Sequence, residues 1–200
     1  MTKNILIFGK SYHFINIIKK IYFREKIYIQ SWRKQTLYQK FDLIFVCGFD
    51  YSSLNESFEN FIKKNYTNPF KYIKRVSKIN SKIVYINTYC EKTQTYSRYN
   101  FVKNFLANKI KKSFSKVYII SIPTIRIKSK ILIYGDFFSR FIFRILYKLK
   151  IINTITIYNL KKILNEDNFV YQRKNLQVKG VHMKFPRNLL VDRMLRFLFG

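Results

Sequence analysis

Alanine occurs once in this chain of 200 residues, at Ala107, while glycine occurs five times, proline three times and cysteine twice. So little glycine and proline excludes collagen-like and linker-like chains. Two cysteines exclude a disulfide framework. Cys47 and Cys90 stand in or just after apolar runs, where a free thiol behaves as a small core hydrophobe, and a reducing cytoplasm suits them. Acidic residues are also scarce: 10 Asp and Glu face 39 Lys and Arg, a net charge of +29. Such a field attracts anions, whether phosphorylated small molecules, anionic lipid head groups or nucleic acid. The basic residues are spread along the whole chain, without a dense tail, a helix-turn-helix signature or a ribonucleoprotein motif, which counts against a nucleic-acid partner. His13 and His182 stand apart from acids and cysteines, so no metal site is expected. No uncharged run approaches the roughly 18 residues of a membrane span. The apolar start, Ile5 to Phe8, is too short for a secretory signal. A cytoplasmic location follows.

What the chain has is apolar mass: 48% hydrophobic and 18% aromatic residues, enough for a substantial core in one domain. The abundance of Ile, Lys, Asn, Phe and Tyr matches an AT-rich gene, so part of the charge is compositional. Asn4 to Phe8 reads as a strand closed by Gly9, and Phe14 to Tyr22 carries apolar residues at helical spacing. Lys26 to Gln30 and Asp42 to Gly48 read as further strands, the second continuously apolar as central parallel strands are. Ser53 to Lys64 suits a crossover helix that Tyr72 to Ile79 extends past Pro69. Ile83 to Thr88, a helix from Tyr96 to Ser113, and Lys116 to Ile122 complete the alternation. That order builds an α/β fold, a doubly wound parallel sheet whose ligands sit at the carboxyl ends of the strands. Beyond Pro123 the pattern changes to Ile131–Tyr134, a helix over about Phe137 to Lys150, a short strand near Thr154 to Tyr158, and the stretch Leu160 to Leu164. Residues 1–125 are expected to form the nucleotide-binding part and residues 126–200 a small α+β region.

The strand ending in Thr88 is followed by Tyr99-Asn-Phe-Val-Lys103. Tyr-x-x-x-Lys spacing arises by chance in a chain so rich in both residues, and Tyr22/Lys26 and Tyr158/Lys162 share it. Only the pair at Tyr99 follows an apolar strand with a hydroxyl at its end. With the opening Ile5-Leu-Ile-Phe-Gly9, the run Phe41 to Gly48, and Ser121-Ile-Pro123, this order resembles the short-chain dehydrogenase/reductase superfamily. The likeness is to its extended group of sugar-nucleotide epimerases, dehydratases and reductases, over residues 3 to 125. The resemblance implies a Rossmann-like fold and an NADP or NAD cofactor held by Gly9, Lys10, Ser11, Gly48 and Pro123. It implies a nucleotide-sugar substrate in surface-polysaccharide biosynthesis and a homodimer formed through the helix that bears Tyr99. Thr88, Tyr99 and Lys103 take the catalytic places: Tyr99 as general acid/base, Lys103 lowering its pKa and holding the ribose, and Thr88 orienting the substrate oxygen.

The glycine turn departs from the family pattern, with Tyr12 and Ile15 where the second and third glycines stand. The acid that reads a ribose 2′-hydroxyl is missing after Gln30, where Arg33 and Lys34 suit a 2′-phosphate and favour NADP. The stretch from Gln30 to Asp42 is too short for the family's third strand. A rival reading is a catalytically silent Rossmann-like module that binds an anionic membrane surface, a protein or a polyanion through its basic face. Arg140, Arg144 and Lys148 form one stripe of the Phe137–Lys150 run, as in helices that lie in an anionic interface, which would put the protein at the inner face of the membrane. The last helix, Pro186 to Phe199, repeats the theme.

Overall fold

Alternation along the apolar strands decides which layer each side chain joins. In the structure, a computed structural model that describes residues 2–88, 98–127, 130–131, 141, 144–145, 147–148, 154–165 and 175–177, the elements run as follows: β1 (Asn4–Phe8), α1 (Tyr12–Ile21), β2 (Lys26–Gln30), β3 (Phe41–Val46), α2 (Phe58–Ile62), α3 (Asn68–Val76), β4 (Ser77–Thr88), α4 (Arg98–Ser113), β5 (Val117–Ile122), β6 (Thr124–Ile127), β7 (Lys130–Ile131), β8 (Thr154–Thr156), α5 (Ile157–Leu164) and β9 (Asn175–Gln177). Six strands form one parallel sheet in the order β2-β1-β3-β4-β5-β9. Ile5, Ile7, Leu43, Phe45, Val84 and Ile86 face α1 and α5. Leu6, Phe8, Ile44, Val46, Ile83 and Tyr85 face α3 and α4. Both faces of the central strands are therefore buried, which is why they read as unbroken apolar runs.

The order reverses between β1 and β3, since β2 lies on one side of β1 and the rest of the sheet on the other. No strand intervenes between Gln30 and Phe41, as the shortness of that stretch indicates. At the reversal, Gly9 has φ +130°, and a Cβ there would lie 2.5 Å from the Gly48 nitrogen. Only glycine permits that approach. The Gly9 N–H donates to the Gln30 carbonyl at 2.9 Å and the Cys47 N–H to the Phe8 carbonyl at 2.9 Å, binding the three strand ends together.

The crossover from β3 differs from the expected single helix. A 3₁₀ turn spans Tyr51–Asn55, and α2 passes into α3 through a π-helical stretch, Lys63–Thr67. Pro69 supplies the reason, because it lacks an N–H and its ring crowds the carbonyl four residues earlier; a widened turn relieves both. Asn65, buried in that stretch, accepts from the Asp50 N–H at 2.7 Å and donates to Ser53 Oγ at 2.6 Å. The helix ends at Val76, not Ile79: the Ser77 hydroxyl donates to the Ile73 carbonyl at 2.6 Å and the chain turns into β4. A register shift against β3 follows.

Beyond β5 a second sheet has the order β7-β6-β8, and α5 packs against α1, with the Tyr22 hydroxyl donating to the Leu164 carbonyl at 3.2 Å. The strand β9, from the C-terminal part of the chain, pairs with β5 in the main sheet. Of the Phe137–Lys150 run, Phe141, Arg144, Ile145, Tyr147 and Lys148 are described and are helical, with Phe141, Arg144, Ile145 and Lys148 exposed. The rest of that run and Pro186 to Phe199 lie outside the described residues. Among the described residues no helix is long and apolar enough to cross a membrane. Replacing Gly9→Ala should lower unfolding free energy by at least about 2 kcal/mol in denaturant titration, since strained φ and contact with the Gly48 backbone add; an unchanged midpoint would show that the strand ends are not locked.

Candidate functional site

The carboxyl edge of the sheet gathers most of the candidate residues. Tyr99 and Lys103 lie one turn apart on α4, and Thr88 is the last residue of β4; the Thr88 side chain, like Cys90 and Glu91, lies outside the described residues. Lys103 is only 6% exposed. Its Nζ donates to the Ile86 carbonyl at 2.7 Å and stands 4.7 Å from the Tyr85 ring centre. The Tyr85 hydroxyl donates back to the Lys103 carbonyl at 3.0 Å, fixing α4 against β4. Tyr99 is half-buried, its ring edge-on to Phe49 at 4.5 Å and stacked with Tyr51 at 5.8 Å.

Burial pulls the Lys103 pKa down to about 8, and the Cys47 thiol close by acts weakly the other way. Burial pushes that thiol up to about 12, with Lys103 opposing. Among the described residues no carboxylate pairs with Lys103. The uncharged amine is the form burial favours.

Asn87, 7% exposed and next to Thr88, was not singled out from the sequence. Its amide nitrogen donates to Asn104 Oδ1 at 2.7 Å, while its own Oδ1 is buried without a partner. A buried acceptor without a donor is costly, and its place is the end of β4. No spacing rule picks out such a residue; only the pairing of a strand-end amide with α4 reveals it.

At the other end of the crevice, Ser11 is the N-cap of α1 with no capping bond from its hydroxyl, leaving the first-turn amides to an incoming anion; Lys10 is exposed beside it. Tyr12, at the family's second glycine, is 70% exposed. It helps wall a groove of about 500 Å³ between α1 and α5, with Ile157 and Tyr158. Ile15 packs partly buried against the core below. Pro123 stands between β5 and β6. These positions lie along the carboxyl edge of the sheet, beside the start of α1 and the end of β5.

The end of β2 is arranged otherwise. Arg33, expected to meet a 2′-phosphate, donates from Nε and Nη2 to Asp50 Oδ1 at 2.8 and 2.7 Å. The Asp50 pKa is lowered: burial pushes it up, but hydrogen bonds from Ser52 and Arg33 outweigh this. Lys34 is exposed, and its carbonyl accepts from the Gln30 side-chain amide. Gln30 Oε1 accepts from the Thr36 and Leu37 N–H groups at 3.1 and 3.0 Å. One buried glutamine thus knits the loop after β2. Among the described residues no cluster of His, Cys, Asp and Glu could hold a metal.

Titration of Lys103 carries a sign. Its folded pKa of about 8 lies below the ordinary lysine value of 10.5, so the folded state sheds the proton first and stability rises as pH rises through 8. Above pH 9 the raised pKa of Cys47 acts in the opposite sense. Between pH 7.5 and 9, Lys103 should add about 1 kcal/mol to unfolding free energy. The Lys103→Met variant should lose this gain in denaturant titrations at the two pH values; an identical gain in the variant would contradict the assignment.

No family model matches the sequence, and no curated protein matches it. Solved structures do. The dTDP-4-dehydrorhamnose reductase of Bacillus anthracis in complex with NADP is 15% identical, with a TM-score of 0.57 over 84% of this chain and 71% of that one. A short-chain dehydrogenase family protein of Francisella tularensis is 12% identical, with a TM-score of 0.58 over 89% of this chain and 97% of that one. The Helicobacter pylori ADP-L-glycero-D-manno-heptose-6-epimerase is 12% identical, with a TM-score of 0.52 over 84% and 73%. At such identities the likeness is one of backbone architecture, and it agrees with the strand order and the switch point: this chain has a Rossmann-like fold, similar to those of the short-chain dehydrogenase structures it matches.

Proposed function

We propose that the chain is a nicotinamide-dependent reductase or epimerase acting on a nucleotide-linked sugar, with Thr88, Tyr99 and Lys103 as its acid–base set. The observation that carries the proposal is Lys103, a buried lysine bonded to the Ile86 carbonyl two residues before Thr88, with Tyr99 one turn away on the same helix. A cation kept there at such cost has a use beyond packing. In reduction, the Tyr99 phenol gives its proton to the carbonyl oxygen of the substrate, and the Thr88 hydroxyl donates a hydrogen bond to that oxygen. The charge of Lys103 favours the phenolate left behind. A bound NADP or NAD supplies or withdraws the hydride at the sugar carbon. Gly9, Lys10 and Ser11 would hold its phosphates, Gly48 and Pro123 would line its path, and Asn87 Oδ1 would accept from a ligand donor. Glu91 is the sole acid between Thr88 and Tyr99, so reduction or epimerisation ranks above dehydration, which needs a placed carboxylate. The reactions named for the Bacillus anthracis and Helicobacter pylori neighbours are of these two kinds. Tyr99→Phe should cut turnover of a nucleotide keto-sugar about a hundredfold or more while leaving thermal unfolding unchanged; undiminished turnover would remove Tyr99 from the reaction.

We further propose that two copies pair through α2 and α4. Phe101 and Phe105 are 44% and 46% exposed and their rings stack at 5.8 Å, with Phe58 and Tyr66 flanking them at 6.3 and 4.5 Å, while Leu106 is buried in the core. An aromatic row left in water on two adjacent helices suits a self-complementary partner. Phe105→Glu should shift sedimentation from dimer to monomer; a wild-type chain that sediments as a monomer would end the proposal.

A further inference from the structure

A dinucleotide lies across the switch point of a doubly wound sheet, with its adenosine ribose read from the end of the second strand. In this chain that end is already filled by protein. Trp32 is 6% exposed. Its ring stacks on Phe8, the last residue of β1, at 4.5 Å and 20°. It also lies directly on Gly48, where an added Cβ would come 2.2 Å from Trp32 Cε3. Phe8, Gly9, Gly48 and Trp32 are therefore contiguous at the reversal of strand order. The indole is bonded as well as packed, since Nε1 donates to the Lys64 carbonyl at 3.1 Å. In the π-helical stretch the Asn68 N–H reaches the Lys63 carbonyl, so the same pattern would assign the Lys64 carbonyl to residue 69. Residue 69 is Pro, with no N–H to give, and Trp32 takes the vacant acceptor. The Gln30 bonds to the 34–37 backbone and the Arg33–Asp50 ion pair hold the loop that carries the indole.

We infer that Trp32 stands in for the adenine base, so that the crevice grips the nicotinamide mononucleotide half of its ligand and gives the adenylate half no net affinity. The inference rests on the nicotinamide reading proposed above. It follows from geometry: a flat aromatic side chain already has the stacking surface of Phe8 and the bare Cα of Gly48 that a flat base would need. Removing a ring packed and hydrogen-bonded in this way cancels what the base would gain. Arg33 already gives Nε and Nη2 to Asp50, which leaves only its remaining N–H groups for a 2′-phosphate.

The test is calorimetric titration of the full chain with reduced nicotinamide mononucleotide and with NADPH. For the wild type the two dissociation constants should agree within about threefold, since tenfold corresponds to 1.4 kcal/mol of extra contact. Trp32→Ala should tighten NADPH about tenfold or more and leave the mononucleotide unchanged. Trp32→Phe, which keeps a ring on Phe8 with less volume over Gly48, should move NADPH the same way by less; it serves if the alanine variant proves unfolded by circular dichroism. NADPH binding the wild type about a hundredfold more tightly than the mononucleotide would overturn the inference, as would weaker NADPH binding in a folded variant, because the indole would then be a wall that supports the adenosine. Absence of binding by either ligand to all three proteins is a separate outcome, which removes the nicotinamide reading and this inference together.

Discussion

The close approach of Gly9 to Gly48 is the constraint on which the rest of the structure depends. Two backbones pass where no Cβ fits, and the hydrogen bonds Gly9 to Gln30 and Cys47 to Phe8 draw the ends of β2, β1 and β3 to a common level. That contact starts α1 at the crevice with its first amides unspent. It also delivers the chain after β3 to Asp50, which caps the following 3₁₀ turn and receives Arg33. In a dinucleotide fold the glycine after β1 is ordinarily explained by the ligand. Here the protein itself requires it, which accounts for Gly9 persisting while the next two glycine places hold Tyr12 and Ile15.

Lys103 is the second organising element, and its energetics run against stability. A methionine of similar length would fill the space between α4 and β4 without the charge. The chain instead buries an amine, bonds it to a strand carbonyl and surrounds it with Tyr85 and Cys47. Buried charges without a carboxylate are rare in structural roles and frequent where a proton or an anion is handled. Asn87, the residue after the Ile86 whose carbonyl binds Lys103, leaves its buried Oδ1 without a partner at the same edge. Both groups lie where the end of β4 meets α4, the place to which the proposed chemistry is assigned.

Much of the fold was legible because parallel central strands are buried on both faces. Ile5 to Phe8, Leu43 to Val46 and Ile83 to Ile86 carry that pattern without interruption, and the shortness of the Gln30–Asp42 stretch announced the missing strand. The strands β6 and β9 were not legible: Thr124–Ile127 and Asn175–Gln177 are short and mixed, and their pairing partners β8 and β5 decide them. The helix expected through Ile79 stops at Val76, where Ser77 turns extended and gives both its N–H and its hydroxyl to the Ile73 carbonyl, a local arrangement that periodicity does not register. The seat of Trp32 on Gly48 and its bond to Lys64 were not legible either, since the bond depends on Pro69, thirty-seven positions away. In the same way Arg33 and Lys34 looked equivalent as cations, and only the fold gives one of them to Asp50.

The central claim is that hydride chemistry takes place at the carboxyl end of β4, beside Tyr99 and Lys103. The most direct measurement is to incubate the protein with nicotinamide cofactor deuterated at the reactive carbon and a panel of nucleotide-linked keto-sugars, and to read the mass of the sugar product. Deuterium on the sugar carbon is the expected result. Label retained wholly on the nicotinamide with every member of the panel, while calorimetry shows the cofactor bound, would contradict it and leave a nucleotide-binding fold without the reaction.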